Sequence, residues 1–186
     1  ASFFRNLHSQ TEISQDLEIQ QYIQSIGRQL VAHSDNPSTP FHFFVVMDPN
    51  INAFAGPGGY IGVNSGLILL TEAESELASV MAHEIGHVTQ RHLYRQIEAA
   101  SKMSIPTVAA TLAAILIGTQ SPRMGQAALM AVQAGSVQFQ INFTRDNEKE
   151  ADRVGMQTLA ESSFDPRSLP TFFERLQQST RYYGKG

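Results

Sequence analysis

The sequence predicts an α+β fold, mainly helical with a small β-sheet, on three observations. Apolar residues recur at helical spacing from Ile13 to Val31. Three short segments rich in β-branched and aromatic residues follow, set between turn residues, and helical patterns fill the chain from Thr71 onward. At 186 residues, 42% hydrophobic and 16% charged, the chain has the size and composition of one globular domain with a sizeable core. A single domain over residues 1–186 is therefore expected.

The first helix is read from Ile13, Leu17, Ile19, Ile23, Ile26, Leu30 and Val31, and the polar run SDNPSTP ends it. FHFFVVM reads as a buried strand closed by the turn residues Asp48, Pro49 and Asn50. INAFA, GPGG and YIGVN then read as two extended pieces joined by a hairpin or tight connection. Thr71 and Glu74 have capping-box spacing, and Glu72 adds negative charge where the helix dipole favours it. A long helix is expected from there to about Ala100, with Leu77, Val80, Met81, Ile85 and Val88 as its apolar stripe.

Residues 103–122 and 124–144 carry no charge. Their most apolar piece, IPTVAATLAAILIG, is 14 residues long, short of the roughly 20 that a membrane span needs. A buried, lid-like or interfacial helix is expected instead, followed by a loop, and peripheral membrane contact through residues 103–122 is one use of it. DNEKEADRVGMQTLAES and FDPRSLPTFFERLQQ read as two final helices split at Asp165 and Pro166.

Bulk chemistry narrows the function classes. A formal charge of −4, with 13 Lys and Arg scattered along the chain, offers no basic stripe for a phosphate backbone, so no nucleic acid partner is expected. The absence of cysteine confines any metal site to His, Asp and Glu ligands. The chain opens at Ala1 on a polar run, so a signal peptide is expected to be absent or already removed.

HEIGHVTQRH, residues 83–92, holds the strongest chemical pattern. On a helix, positions i and i+4 share a face, so His83 and His87 can converge on one metal ion. Glu84 then points to the flank of that ion, where a general base can take a proton from an attacking water without ligating the metal. His92 is rotated by about 140° from His87 on an unbroken helix and reads as structural. A metzincin arrangement is excluded, because the positions that would need Gly and His hold Gln90 and Leu93. With two histidines, the third ligand is sought on a second helix, and NEKEAD supplies it. Glu148 and Asp152 are four apart, so one can ligate while the other orients a ligand histidine; Glu150 faces another side and is the second choice.

HEIGH followed some sixty residues later by NEKEAD resembles the zinc metallopeptidase family that includes the CAAX prenyl proteases, HtpX and Oma, and is most similar to the periplasmic BepA-like group. The likeness runs through TPFHFFVV, INAFAGPGGYIGVNSGLI, ELASVMAHEIGHVTQRH, FTRDNEKEADRVGMQ and FDPRSLPTFFERL. The resemblance implies a zincin-type domain and one Zn²⁺ per chain. His83, His87 and Glu148 would be its ligands, Glu84 the catalytic base and Asp152 the carboxylate that orients a histidine. It also implies protein or peptide substrates that pair along an exposed INAFA edge near Asn52, Ala53 and Phe54. A Gram-negative periplasmic address near the outer-membrane assembly machinery follows from the same likeness, as does a catalytic-domain fragment that lacks C-terminal tetratricopeptide repeats. The rival expectation is a chaperone-like client-binding domain whose zinc is latent or structural.

Overall fold

The structure is a computed structural model and describes residues 11–183; the polar run that begins at Ala1 lies outside the described residues up to Gln10. Its elements run α1 (Leu17–Ala32), β1 (His42–Val46), β2 (Ala53–Gly56), β3 (Tyr60–Asn64), α2 (Ser65–Leu70), α3 (Glu74–Thr89), α4 (His92–Gln120), α5 (Pro122–Glu161) and α6 (Ser168–Tyr183). The expected α+β fold, mostly helical with a small sheet, is present. The chain divides into two compact units, residues 1–90 with 150–186, and residues 91–149.

In the first unit the sheet has the order β1-β3-β2, with β1 parallel and β2 antiparallel to β3. The tight connection is built by Gly58 and Gly59, both at positive φ. A Cβ at Gly59 would lie 2.1 Å from the Pro40 carbonyl oxygen, so that turn admits only glycine. One sheet face, through Phe43, Val45, Ile61 and Val63, meets Ile23, Ile26 and Leu30 of α1, the apolar side of α3, and Phe172 of α6. The other face carries a smaller cluster of Ile13, Phe44 and Val46, with Phe54 and Tyr60 against it.

Several boundaries differ from those expected, for local reasons. The first helix begins at Leu17, because Asp16 accepts from the Glu18 and Ile19 N–H groups at 2.9 and 3.3 Å. Ile13 is instead drawn into an antiparallel bridge with Val46. Thr71 and Glu74 form no capping box: Ala73 occupies the N-cap of α3 without a side-chain bond, and the Thr71 hydroxyl donates to the Ile68 carbonyl at 2.6 Å. Glu76, at the third helical position, takes the role of back-reaching carboxylate and accepts from the Glu72 N–H at 2.7 Å. The expected helix to Ala100 stops at Thr89, since Arg91 adopts the left-handed conformation (φ 58°) and α4 restarts at His92. HEIGH thus sits toward the C-terminal end of α3.

In the second unit the expected helix and loop are two helices, α4 and the start of α5, joined through Ser121. A buried core helix is not found. Across residues 92–149 only His92, Ala114, Gly125 and Asn147 are buried. The NEKEAD helix is far longer than expected, because α5 runs without a break from Pro122 to Glu161.

The start of α3 is fastened by α6. Arg175 donates through Nη2 to Glu76 Oε2 at 2.6 Å and to the Leu70 carbonyl at 3.2 Å, and its Nη1 lies 3.0 Å from Glu72 Oε2. Burial pushes the Glu76 carboxyl up, but the Glu72 N–H and the Arg175 guanidinium outweigh it and hold the group below the usual carboxylate range. Its contribution to stability is therefore present above the ordinary glutamate value of about 4.3 and is lost as pH falls through the lowered folded value. Chemical denaturation should show Glu76→Gln less stable than wild type at pH 7, with the gap closing below about pH 4. A gap that stays constant from pH 7 to 3 would contradict this assignment.

Candidate metal centre

His83 and His87 stand one turn apart on α3, with His83 buried and His87 half-buried. Beside them passes the C-terminal part of α5, at a distance set by two glycines. A Cβ at Gly155 would lie 3.1 Å from the His83 backbone nitrogen, and one at Gly86 would lie 3.1 Å from the Ala151 carbonyl oxygen. Each helix thus presents a bare backbone to the other at the level of the site.

That approach brings Asp152 Oδ1 to 2.7 Å from His83 Nδ1. An ionised carboxylate only accepts, so Nδ1 carries the proton and donates it, which leaves Nε2 unprotonated. The Nε2 atoms of His83 and His87 face one another at 3.0 Å. Two nitrogens bound tetrahedrally to zinc at 2.0–2.1 Å would stand roughly 3.3 Å apart, so the pair is already near a ligating separation. Glu148, one turn before Asp152 on α5, completes a group whose ligand atoms all lie within 4.8 Å of one another. The ring of Phe173, on α6, meets the His83 imidazole edge-on with centroids 5.5 Å apart. Asp152 and Phe173 together restrict rotation of that ring.

The donor set fits a zinc ion: two imidazole nitrogens and one carboxylate oxygen, with a carboxylate behind one histidine. Glu84 is half-buried on the same helix and lies outside the group. His92 also lies outside it, buried at the start of α4. The expected substrate-edge residues separate by face. Ala53 packs on the main core, whereas Phe54 stacks edge-on with Phe44 (centroids 5.9 Å apart) over Gly62 in the smaller cluster. Asn52 is exposed, and its carbonyl accepts from the Asn64 N–H at 3.0 Å. β2, at the end of the strand order, has one edge without a strand partner among the described residues.

Gly155 and Phe173 escaped the reading of the sequence, and Gly86 entered it only as part of HEIGH. A signal existed: glycine inside a helix costs about 1 kcal/mol relative to alanine unless close packing compensates, and both helices carry one within a turn of the site.

The model of peptidase family M48 matches residues 18–182. A putative beta-barrel assembly-enhancing protease of Vibrio cholerae is 48% identical over 99% of this chain and 38% of its own length. The beta-barrel assembly-enhancing protease of Escherichia coli K12 is 46% identical over 97% of this chain and 37% of its own. The mitochondrial metalloendopeptidase OMA1 of Schizosaccharomyces pombe is 29% identical over 88% and 46%. The chain thus spans less than half the length of each of these relatives.

Replacing Gly155 with valine should force the two backbones apart and cost about 2–3 kcal/mol, read from denaturant unfolding. Wild-type stability in that variant would show that the helix crossing does not depend on the missing side chain.

Proposed function

This chain belongs to peptidase family M48, and from that premise we propose that it is a zinc-dependent endopeptidase cleaving misfolded or misassembled proteins, outer-membrane proteins among them. The observation that carries the reading is the convergence of His83, His87 and Glu148 with Asp152 already bonded to His83. In it His83, His87 and Glu148 hold one Zn²⁺ per chain, which when bound acidifies water and polarises a peptide carbonyl. Asp152 keeps His83 in the tautomer whose Nε2 can ligate. Glu84 removes the proton from the attacking water and returns it to the leaving amine, so no acyl-enzyme is needed. An extended substrate pairs along the free edge of β2, near Asn52, Ala53 and Phe54.

The likeness to proteins named as beta-barrel assembly-enhancing proteases supports a place in the Gram-negative periplasm, near the outer-membrane assembly machinery. Peripheral membrane contact through residues 103–122 belongs to the same reading. The structure does not favour a client-binding domain with structural zinc. Structural sites are closed by four protein ligands, and the group found among the described residues offers three.

Glu84→Gln should lower casein cleavage by at least about 100-fold while zinc stays bound. Zinc loss in that variant would remove Glu84 from the role of base. Asp152→Ala should weaken zinc binding about 10–100-fold, measured by chelator competition. Unchanged affinity would mean that the His83 bond does not serve the metal.

A further inference from the structure

Residues 92–149 form a helical hairpin built inside out for water. At its closed end a Cβ on Gly125 would lie 2.4 Å from Gly118 Cα and 3.2 Å from the Ala114 carbonyl oxygen, so small residues make the helix contact. The large side chains turn away from it. On α4, Ile105, Val108, Leu112, Ile115 and Leu116 fall on an arc of roughly 100° on the side away from Ala114, and they are 77, 58, 57, 52 and 68% exposed. On α5, Met130, Val137 and Ile141 repeat at intervals of seven and four and are 69, 56 and 54% exposed. A water-soluble hairpin buries its large apolar stripes between its helices. Small residues inside and large ones outside is the arrangement of helices packed within lipid.

Charge identifies the occupant. From residue 99 to 145 the chain has no Asp or Glu, and its only charges are Lys102, Arg123 and Arg145, in a protein whose formal charge is −4; Lys102 lies 2.7 Å from Glu98 and Arg145 3.9 Å from Asp146, exposed pairs of the weak kind that a phosphate can replace. These cations occur at both ends and at the tip of an otherwise uncharged hairpin. α4 passes by length and composition as a membrane-crossing helix, with 6% of its apolar window buried. Its tip residues Thr119, Gln120, Ser121 and Arg123 are polar, however, and four glutamines punctuate the returning helix at 126, 133, 138 and 140. Those residues disfavour a dive through hydrocarbon and favour lying along the interface.

We infer that this hairpin is a docking surface for an anionic lipid bilayer, with its apolar stripes at the boundary of headgroups and acyl chains and Lys102, Arg123 and Arg145 on lipid phosphates. The inference rests on, and extends to both helices, the membrane contact proposed for residues 103–122.

The test is co-sedimentation of the whole chain with phosphatidylcholine vesicles, with and without phosphatidylglycerol. Wild type should bind the phosphatidylglycerol vesicles and bind phosphatidylcholine alone far more weakly. The triple variant Lys102→Gln, Arg123→Gln, Arg145→Gln should lose on the order of 100-fold in affinity. Leu112→Asn with Leu116→Asn should lose at least about tenfold. Zinc content and casein cleavage in solution should be unchanged in both, so that loss of cleavage with lipid binding intact would strike the peptidase reading alone. A folded wild-type chain that binds neither vesicle overturns the inference, and so does equal binding to both compositions. It is equally overturned if the chain is a dimer that the Leu112 and Leu116 changes convert to a monomer without any lipid binding, since a second copy would then cover the stripe.

Discussion

The candidate metal centre depends on how closely two helices can pass. At ordinary separations two side-chain layers stand between helix axes, but here Gly86 and Gly155 each remove one layer at the level of His83. Only then does the short Asp152 side chain reach His83 Nδ1 at 2.7 Å. That bond fixes the tautomer and turns Nε2 toward His87. Glu148 follows from the same crossing, because a residue one turn before Asp152 on an unbroken helix must present itself to the same side. The helical propensity given up at the two glycines, about 1 kcal/mol each, is the cost of the approach.

The rest of the first unit holds α3 where this crossing needs it. Leu77, Met81 and Ile85 are fully buried and lock one side of the helix into the core, which leaves His83, Glu84 and His87 on the other. Arg175 binds the first turn through Glu76 and Glu72, and two residues earlier on the same helix Phe173 leans on His83. α6 thus secures the start of α3 and one of its imidazoles with two residues of a single turn. A partly buried ion pair of this kind is weak evidence for net stability, but it fixes the position of a helix end that has no side-chain N-cap of its own.

The geometry of the candidate site was more legible in the sequence than the element boundaries. HExxH and ExxxD encode their geometry directly, since a spacing of four on a helix is a statement about one face. The sheet was readable for a similar reason: β-branched and aromatic runs between glycine turns leave few alternatives. The capping box failed because Glu76, two residues beyond Glu74, engages both the Glu72 N–H and Arg175, a residue about a hundred positions away. Nothing local marks the break at Arg91, where a non-glycine residue takes a left-handed conformation that few residues adopt without tertiary cause. The uncharged stretch was recognised as unusual, yet periodicity does not say whether an apolar stripe turns toward protein or away from it. The glycine contact that answers this for α4 joins residues on two different helices.

The account stands or falls on whether residues from α3 and α5 hold one metal together. The most direct measurement is zinc per chain with X-ray absorption at the zinc edge, for wild type and Glu148→Ala purified without added metal. One zinc per wild-type chain, bound by imidazole nitrogen and carboxylate oxygen at about 2.0–2.2 Å and depleted in the variant, is the predicted result. Wild type free of zinc, or a variant that holds it as tightly and with the same ligands, would contradict the two-helix centre.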